Sequence, residues 1–267
     1  MKLDRRWGPP LLITLILFGA HWGAGMLRGY EAVVLAVGTA LVADVLVGRL
    51  LLGERRALAS AYISGISISI LVRSPVFWPY ATGAVLSVLS KYVLRMRGRH
   101  LWNPSNLGIC VLLFLAPWAV APLSVQWGNT LWPMLVIWAI GIVAVWRAGR
   151  VHVTLAYLAS FLVLALLRSA VTGQTFLAEV APLTGPMYQL FALFMVTDPK
   201  TTLSSRGGSI LVVCAVAVVE SVLRLLEVVY APFYALFLVG PVAVAWEATR
   251  RAKTAADASG AGEPVRT

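Results

Sequence analysis

The stretch KYVLRMRGRHLWNPSNLGICVLLFLAP, residues 91–117, contains the feature that decides the fold. One apolar segment ends in basic residues, a short polar turn with a proline follows, and another apolar segment begins at Leu107. Apolar segments of roughly 20 residues are long enough to cross a bilayer as helices. A polar cluster at such a boundary is costly unless it faces water, protein or a ligand. The stretch therefore predicts membrane helices joined by a polar loop that does not face lipid.

The composition of the whole chain favours a membrane protein. Of its 267 residues, 60% are hydrophobic and only 12% are charged, whereas a soluble domain has about 25% charged residues. The alternating pattern of a membrane barrel is absent, so we predict an all-α integral membrane protein whose main partner is the lipid bilayer. The net charge of +11 is assigned to basic loops that orient the chain, and no nucleic acid partner is expected.

Ten apolar segments can be drawn along the chain, which predicts about ten transmembrane helices. They cover approximately residues 7–27, 30–48, 57–72, 75–95, 107–125, 130–147, 153–171, 185–197, 209–229 and 231–249. The third and eighth segments are the shortest and are expected to be short or re-entrant. We expect a single transmembrane domain over 1–251 and a disordered cytoplasmic tail over 252–267, which is rich in small and polar residues.

The distribution of basic residues predicts the topology. With the N-terminus in the cytoplasm, 18 of the 22 lysines and arginines fall on the cytoplasmic side, as the positive-inside rule requires. This predicts a multi-pass protein of the cell inner (plasma) membrane with both termini cytoplasmic. Ten spans divide into two inverted five-helix halves, about 1–125 and 126–251. Short segments at matched positions of inverted halves indicate a binding site near the midplane, although short tilted helices would explain them equally.

Two polar clusters fall on the cytoplasmic side of this topology, RGRHLWNPSN at 97–106 and TDPKTT at 197–202. Asn103 followed by Pro104 is typical of a helix N-cap with proline at the first helical position. Asp198 followed by Pro199 has the same pattern. Capping would explain Asn103 and Asp198 without any function, but it requires neither His100 nor Asn106. Helix N-termini and amide side chains also suit anionic or strongly polar ligand groups.

The residues around these clusters resemble a known family. KYVLRMRGRHLWNPSNLGICVLLFLAP resembles the Lys…Gly…His-x-x-Asn-Pro-Ala segment of the RnfD/NqrB family, and FALFMVTDPKTT resembles that family's Phe-Met-Ala-Thr-Asp-Pro-Val-Ser segment. The family comprises membrane subunits of the Rnf electron transport complex and of sodium-pumping NADH:quinone reductase. The resemblance covers about 57–125 and 185–210. The chain is similar to short stand-alone members encoded in natural-product gene clusters, including those for enediynes.

The resemblance implies an inverted-repeat fold that carries flavin and has the architecture of urea and ammonium channels. Family members attach one flavin covalently through a threonine in a Ser/Asp-Gly-Ala-Thr motif, which is missing here, so we expect no covalent attachment. The family's Asn-Pro segment lies near a non-covalent flavin on the cytoplasmic side. Carried over residue by residue, this implies a site for FMN or riboflavin formed by His100, Asn103, Asn106, Thr197 and Asp198.

The first functional hypothesis is therefore an RnfD/NqrB-like electron-transport protein that relays electrons to a redox partner protein or membrane complex. It would be an electron-transfer subunit rather than a self-sufficient enzyme, because no NADH site, hydrolase triad or metal-ligand spacing is visible. The alternatives are a transporter or channel for ions or solutes on the same scaffold, and a cofactor-free accessory membrane protein of a biosynthetic cluster. Fold alone does not decide among them.

Ionisable residues inside apolar segments form a second group of candidates. Asp44 either has a function or pairs with Arg49 near the end of the second segment. Glu220, Arg224 and Glu227 have the spacing of one helical face, which predicts an ion-pair ladder. Such a ladder would face the bundle interior or a subunit contact, or it would contribute to a proton path.

Overall fold

The computed structural model describes residues 7–24, 29–53, 58–122, 131–198 and 202–260. Within these ranges helices make up nearly all of the regular structure, and each strand is only two residues long. The helices long and apolar enough to cross a membrane are Tyr30–Leu50, Val151–Thr172, Arg206–Leu225 and Ala231–Ala252. Their length and composition support the predicted all-α membrane protein.

The helices, labelled in chain order, are α1 Gly8–Ala24, α2 Tyr30–Leu52, α3 Ala59–Leu71, α4 Trp78–Val93, α5 Pro104–Leu115, α6 Leu131–Arg147, α7 Val151–Thr172, α8 Phe176–Val180, α9 Pro186–Leu190, α10 Arg206–Leu225 and α11 Ala231–Gly260. A 3₁₀ turn, Ala181–Thr184, follows α8, and a π-helical segment, Phe191–Met195, continues α9. The strands are β1 Val72–Arg73, β2 Arg95–Met96, β3 Arg99–His100 and β4 Ala121–Pro122. β1 pairs with β4 and β2 pairs with β3, both antiparallel. Each predicted apolar segment overlaps one of these helices.

The fifth predicted segment, 107–125, is only partly helical, because α5 begins at Pro104 and ends at Leu115. Ala116 precedes Pro117, and a residue before proline is sterically pushed out of the helical region. Ala116 accordingly has φ −142° and ψ 54°. With 12 residues, α5 is even shorter than the 13-residue α3, so the third and eighth segments are not the only short ones.

The C-terminal end of the chain also differs from the prediction. α11 continues to Gly260, so residues 252–260 are helical where we expected a disordered tail. Alanine is the best helix former and occurs four times in residues 252–260, which explains why the helix continues. Residues 261–267 lie outside the described ranges.

The short helices α3, α5 and α9 are largely buried, whereas the long helices α2 and α7 lie at the surface of the bundle. α2 packs on α3 and α4, and α7 packs along α10. Gly65 lets α3 approach α2 closely, since a Cβ there would lie 2.6 Å from the Cα of Val37. All five residues of α9 are buried. By contrast, α2 and α7 expose large apolar side chains such as Val34, Leu155 and Leu166, as expected of surfaces that contact lipid.

A tight hairpin shapes the polar stretch between α4 and α5. Arg97 and Gly98 connect β2 to β3 with φ angles of 49° and 81°. Positive φ at both central residues is the signature of a type I′ turn, which matches the twist of the paired strands. Met96 pairs with Arg99, and Arg95 pairs with His100. The basic stretch is therefore a defined structure that sets the direction in which the chain enters α5.

Candidate functional site

The start of α5 confirms the predicted cap. Asn103 precedes the helix with extended backbone angles, and its side-chain Oδ1 accepts the backbone N–H of Asn106 at 3.1 Å. Pro104 occupies the first helical position, where its missing N–H would have had no partner within the helix. The cap uses the oxygen of the Asn103 amide and leaves its nitrogen available for another contact.

That nitrogen connects the two polar clusters. Nδ2 of Asn103 donates to Oδ2 of Asp198 at 3.2 Å. The two residues are far apart in sequence but adjacent in space, because the start of α5 and the end of the π-helical segment lie side by side. Asp198 directly follows Thr197, and residues 199–201 lie outside the described ranges. The structure therefore joins the clusters that the sequence showed separately.

Asn106 has the most unusual environment in this region. Its side chain is 0% exposed, and its Nδ2 donates to the carbonyl of Phe233 in α11 at 3.1 Å. That carbonyl can only accept, so the nitrogen must face it and the oxygen must face the other way. Oδ1 of Asn106 has no hydrogen-bond partner. A buried, unpaired amide oxygen is costly and indicates that a donor belongs there.

The other two predicted site residues lie at the edges of this region. His100 is 6% exposed and ends β3, three residues before the cap. Thr197 is 7% exposed, and its hydroxyl donates to the carbonyl of Leu193 at 2.7 Å. The hydroxyl of Thr197 therefore donates within its own segment. Thr197 belongs to the site only because it directly precedes Asp198.

Thr202 connects the same region to two arginines. Its hydroxyl donates to the backbone carbonyl of Asp198 at 3.0 Å, and Arg150 donates to that hydroxyl at 3.4 Å. Arg99, from β3, donates to the Thr202 carbonyl. We call Asn103, Asn106, Asp198 and Thr202 the Asn–Asp junction. Arg99 and Arg150 are basic neighbours of this junction. From the sequence, both were counted only among the basic residues that orient the chain in the membrane.

One acidic residue neutralises part of this positive region. Glu247 in α11 forms ion pairs with Arg99 and with Arg251, the latter at 2.8 Å. It also accepts the backbone N–H of Ser204 at 3.2 Å. Glu247 therefore holds the segment before α10 against α11. Sequence reasoning did not select it, because a single acid near the end of a helix has no distinctive spacing.

A second polar group lies deeper in the bundle, between α7, α9 and α10. Glu220 is 0% exposed, and its carboxylate accepts the hydroxyls of Tyr157 at 2.6 Å and Tyr188 at 2.7 Å. Arg224 forms an ion pair with the same carboxylate at 3.1 Å and donates to the Tyr188 hydroxyl. We call these four residues the Glu220 cluster. Each phenol and the carboxylate has a partner, so the cluster is complete.

A further ion pair extends the Glu220 cluster. Arg168 is 2% exposed, pairs with Glu179 of α8 at 2.7 Å and donates to Ser221 at 3.0 Å. The guanidinium carbons of Arg168 and Arg224 lie 5.2 and 5.4 Å from the centre of the Phe161 ring, within cation–π range. Two acids balance two arginines, so the buried charges compensate one another.

The predicted three-residue ladder on α10 is only partly formed. The i, i+4 pair of Glu220 and Arg224 exists, but α10 ends at Leu225 and Glu227 lies beyond it with φ 60°. The backbone N–H of Val228 donates to the carbonyl of Leu223, which closes the helix end around a left-handed residue. This helix ending removes Glu227 from the face that Glu220 and Arg224 share.

Asp44 has a different partner from the one suggested by sequence. Its carboxylate is 5% exposed and accepts the hydroxyl of Tyr92 at 2.8 Å. No ion pair joins Asp44 to Arg49 in the described part of the chain. In the sequence, Tyr92 and Tyr157 could have indicated the contacts of Asp44 and Glu220, because a phenol among apolar helices needs a hydrogen-bond partner.

Comparison with known proteins adds no identification. No protein-family model matches the chain, and no curated protein matches it.

Proposed function

We propose that this chain is an RnfD/NqrB-like membrane electron-transport protein that binds a flavin non-covalently at the Asn–Asp junction. The observation that carries the proposal is the buried Oδ1 of Asn106, which has no hydrogen-bond partner. A flavin ring presents an N–H donor between two carbonyl acceptors, and amide side chains complement both kinds of group. Complementary polar groups support the proposal, because the free acceptor of Asn106 belongs to the same junction as the amide of Asn103 and the carboxylate of Asp198.

The residues of the junction would have distinct roles. Oδ1 of Asn106 would accept an N–H of the ligand, while Nδ2 stays bonded to Phe233 and fixes the direction of the amide. Asn103 is held by its cap and by Asp198, so it is already oriented before a ligand arrives. A bound flavin supplies electron-transfer chemistry, and the protein supplies orientation and electrostatics. The chain would act as an electron-transfer subunit that needs a redox partner.

The proposal includes the predicted topology of ten spans in two inverted halves with cytoplasmic termini. Helix packing supports it, because the pairs α2–α4 and α4–α5 in the first half correspond to α7–α10 and α10–α11 in the second. The contacts of α1 with α3 correspond to those of α6 with α9. Equivalent helices also meet across the halves, α1 with α6 and α5 with α11, as a two-fold relation requires.

Equivalent polar contacts give independent support for the inverted halves. Near the end of α4, Lys91 donates to the carbonyl of Ser60 in the first turn of α3 at 2.6 Å. Near the end of α10, Arg224 donates to Tyr188 in the first turn of α9. In both halves a basic residue at the end of the fourth helix bonds the start of the short third helix. Inverted halves would place these contacts on opposite sides of the membrane.

The test is to purify the protein in mild detergent, record its absorbance and identify any flavin released by denaturation. We expect FMN or riboflavin in the supernatant and no flavin fluorescence on the denatured band in a gel. Asn103→Leu and Asp198→Ala should each lower flavin occupancy while expression stays intact. If neither flavin binds even after reconstitution, the proposal fails and a cofactor-free accessory protein is the better account.

A transporter or channel is the second candidate, and the short interior helices favour it. The 13 residues of α3 extend about 20 Å, whereas the hydrocarbon core is about 30 Å thick. In α9, Gln189 is 3% exposed and its Oε1 has no hydrogen-bond partner. Ion flux into liposomes containing the purified protein would test this candidate. Flux that Gln189→Leu abolishes without changing flavin binding would favour transport, and absence of flux for ions of either sign would count against it.

A further inference from the structure

An apolar groove lies between α1, α2 and α3, in a part of the molecule that the Asn–Asp junction does not use. Both α1 and α2 pack on α3, so α3 forms the floor between them. Ile66 of α3 lines this floor, while Leu17 of α1 and Val37 of α2 line the walls. The groove has a volume of about 350 Å³, which is within the range of small-molecule sites.

Two contacts between helices border the groove. The hydroxyl oxygen of Tyr62 lies 2.8 Å from Oγ1 of Thr14, which itself donates to the carbonyl of Pro10 at 2.8 Å. A threonine hydroxyl has a single hydrogen, so Tyr62 is the donor between the two side chains. One helical turn further along α1, the ring of Phe18 lies 6.2 Å from that of Tyr30. The hydrogens of Thr14 and Tyr62 are already used, and the groove offers a ligand mainly apolar surface.

The groove is continuous with the surface that contacts lipid. The α2 helix is long and apolar enough to cross a membrane, and Val34 of α2 and Phe18 of α1 both line the groove and are exposed. Water does not fill a cavity with apolar walls, and an empty cavity forfeits the dispersion contacts of its lining. A hydrocarbon chain entering from the bilayer restores those contacts without burying a polar group.

Gly38 of α2 is a second observation that favours an occupant. It lines the groove, and a Cβ added there would meet no atom within 4 Å. Helix packing therefore does not require a glycine at this position, in contrast to Gly65, where a Cβ would collide with the backbone of α2. A glycine inside a helix costs about 1 kcal/mol relative to alanine. The missing side chain keeps the groove open.

We propose that this groove binds one acyl chain of a membrane phospholipid, held between α1 and α2 against Ile66. A chain in the groove contacts three helices, whereas a chain on a flat helix surface contacts only one side, so the groove holds its lipid more tightly. The site selects a hydrocarbon chain by shape and apolar surface. It does not depend on the proposed function, because none of its residues belongs to the Asn–Asp junction.

The test counts retained lipids on the full-length protein. Protein from phosphatidylcholine nanodiscs is transferred into increasing concentrations of detergent and weighed by native mass spectrometry. We expect the wild type to keep one phospholipid after the others are lost. Gly38→Leu should weaken this retention at least about tenfold, because the leucine side chain occupies the groove. Gly19→Leu is the matched control, since Gly19 is an exposed glycine of α1 with equally open surroundings that does not line the groove.

Gly38→Ala guards against a folding defect in the leucine variant, because it improves helix propensity and should still reduce retention by a smaller factor. A phosphatidylcholine with a photoreactive diazirine in its acyl chain should label α1 and α2 in the wild type and not in Gly38→Leu. Equal lipid retention by the wild type, Gly38→Leu and Gly19→Leu would overturn the proposal. A dimer without retained lipid that Gly38→Leu dissociates would also overturn it, because a second copy of the chain would then fill the groove.

Discussion

The Glu220 cluster and the Asn–Asp junction are both polar groups enclosed by apolar helices, but only the first is complete. In the Glu220 cluster the buried carboxylate has three partners, and the adjacent pair of Arg168 and Glu179 is itself neutral. At the junction, Oδ1 of Asn106 is buried without a partner. A complete cluster holds helices together, whereas an unpaired buried acceptor calls for a donor such as an ordered water or a ligand. Substitutions in the Glu220 cluster should therefore lower stability, whereas substitutions at the junction should lower ligand affinity.

The largest effect on stability is expected for Glu220→Gln. The change leaves the mostly buried Arg224 without its counter-charge, and breaking one side of a buried pair costs about 3 kcal/mol or more. Unfolding in a denaturing detergent, followed by tryptophan fluorescence, would measure the free energy. Tyr157→Phe is the control, since it removes one hydrogen bond and should cost about 1 kcal/mol. Glu220→Gln with wild-type stability would show that the cluster does not hold the helices.

Asn106→Leu should show the reverse pattern. The substitution removes the hydrogen bond from Asn106 to the Phe233 carbonyl, but it also removes the costly unpaired oxygen. The Phe233 carbonyl keeps the thiol of Cys110 as a partner at 3.4 Å. We expect the unfolding free energy to change by no more than about 1 kcal/mol, while flavin affinity falls at least about tenfold. Flavin titration and detergent unfolding of the same preparation would measure both. A stability loss as large as that of Glu220→Gln would remove the contrast between the regions.

Two substitutions of Asn103 separate helix capping from ligand binding. Serine is as good a cap as asparagine, whereas alanine costs about 1 kcal/mol at this position. Neither residue can donate an amide hydrogen to Asp198. Asn103→Ser should therefore keep the unfolding free energy and Asn103→Ala should lower it, while both lose flavin affinity equally. If serine preserves flavin affinity as well, Asn103 acts only as a cap.

The smallest effect is expected for Arg251→Gln. The side chain of Arg251 is 59% exposed, and its ion pair with Glu247 is an i, i+4 pair on α11. Exposed pairs of this kind contribute at most about 0.5 kcal/mol because solvent screens them. Unfolding at low and high salt would measure the difference. A cost near that of Glu220→Gln would indicate that Arg251 has a structural role at the junction.

The sequence predicted the features that depend on neighbouring residues. Hydropathy indicated the all-helical membrane protein, and the Asn103–Pro104 pair marked the start of α5. The end of α5 at Leu115 could have been predicted from Pro117, but the apolar run continued past it and concealed the break. The tail was assigned to disorder from its composition, although its alanines are compatible with the helix that reaches Gly260. The RnfD/NqrB relationship stays a prediction.

The contacts of the candidate site could not be predicted in the same way. Residues 103 and 198 meet because α5 and the π-helical segment pack side by side. The partners of Glu220 come from α7 and α9, and nothing in the spacing of Tyr157 or Tyr188 reveals which carboxylate they meet. Long-range partners of this kind depend on how the helices are arranged, which hydropathy does not encode.

By itself the sequence determined the class of protein, the approximate positions of its helices, and the cap that starts α5. These properties follow from transfer energies and local hydrogen bonds, which neighbouring residues decide. The tertiary structure alone decided which buried polar groups are paired and which are left open. It placed Glu220 among three partners and left the oxygen of Asn106 with none. That difference arises because a side chain in a membrane protein can be satisfied only by the helices packed against it.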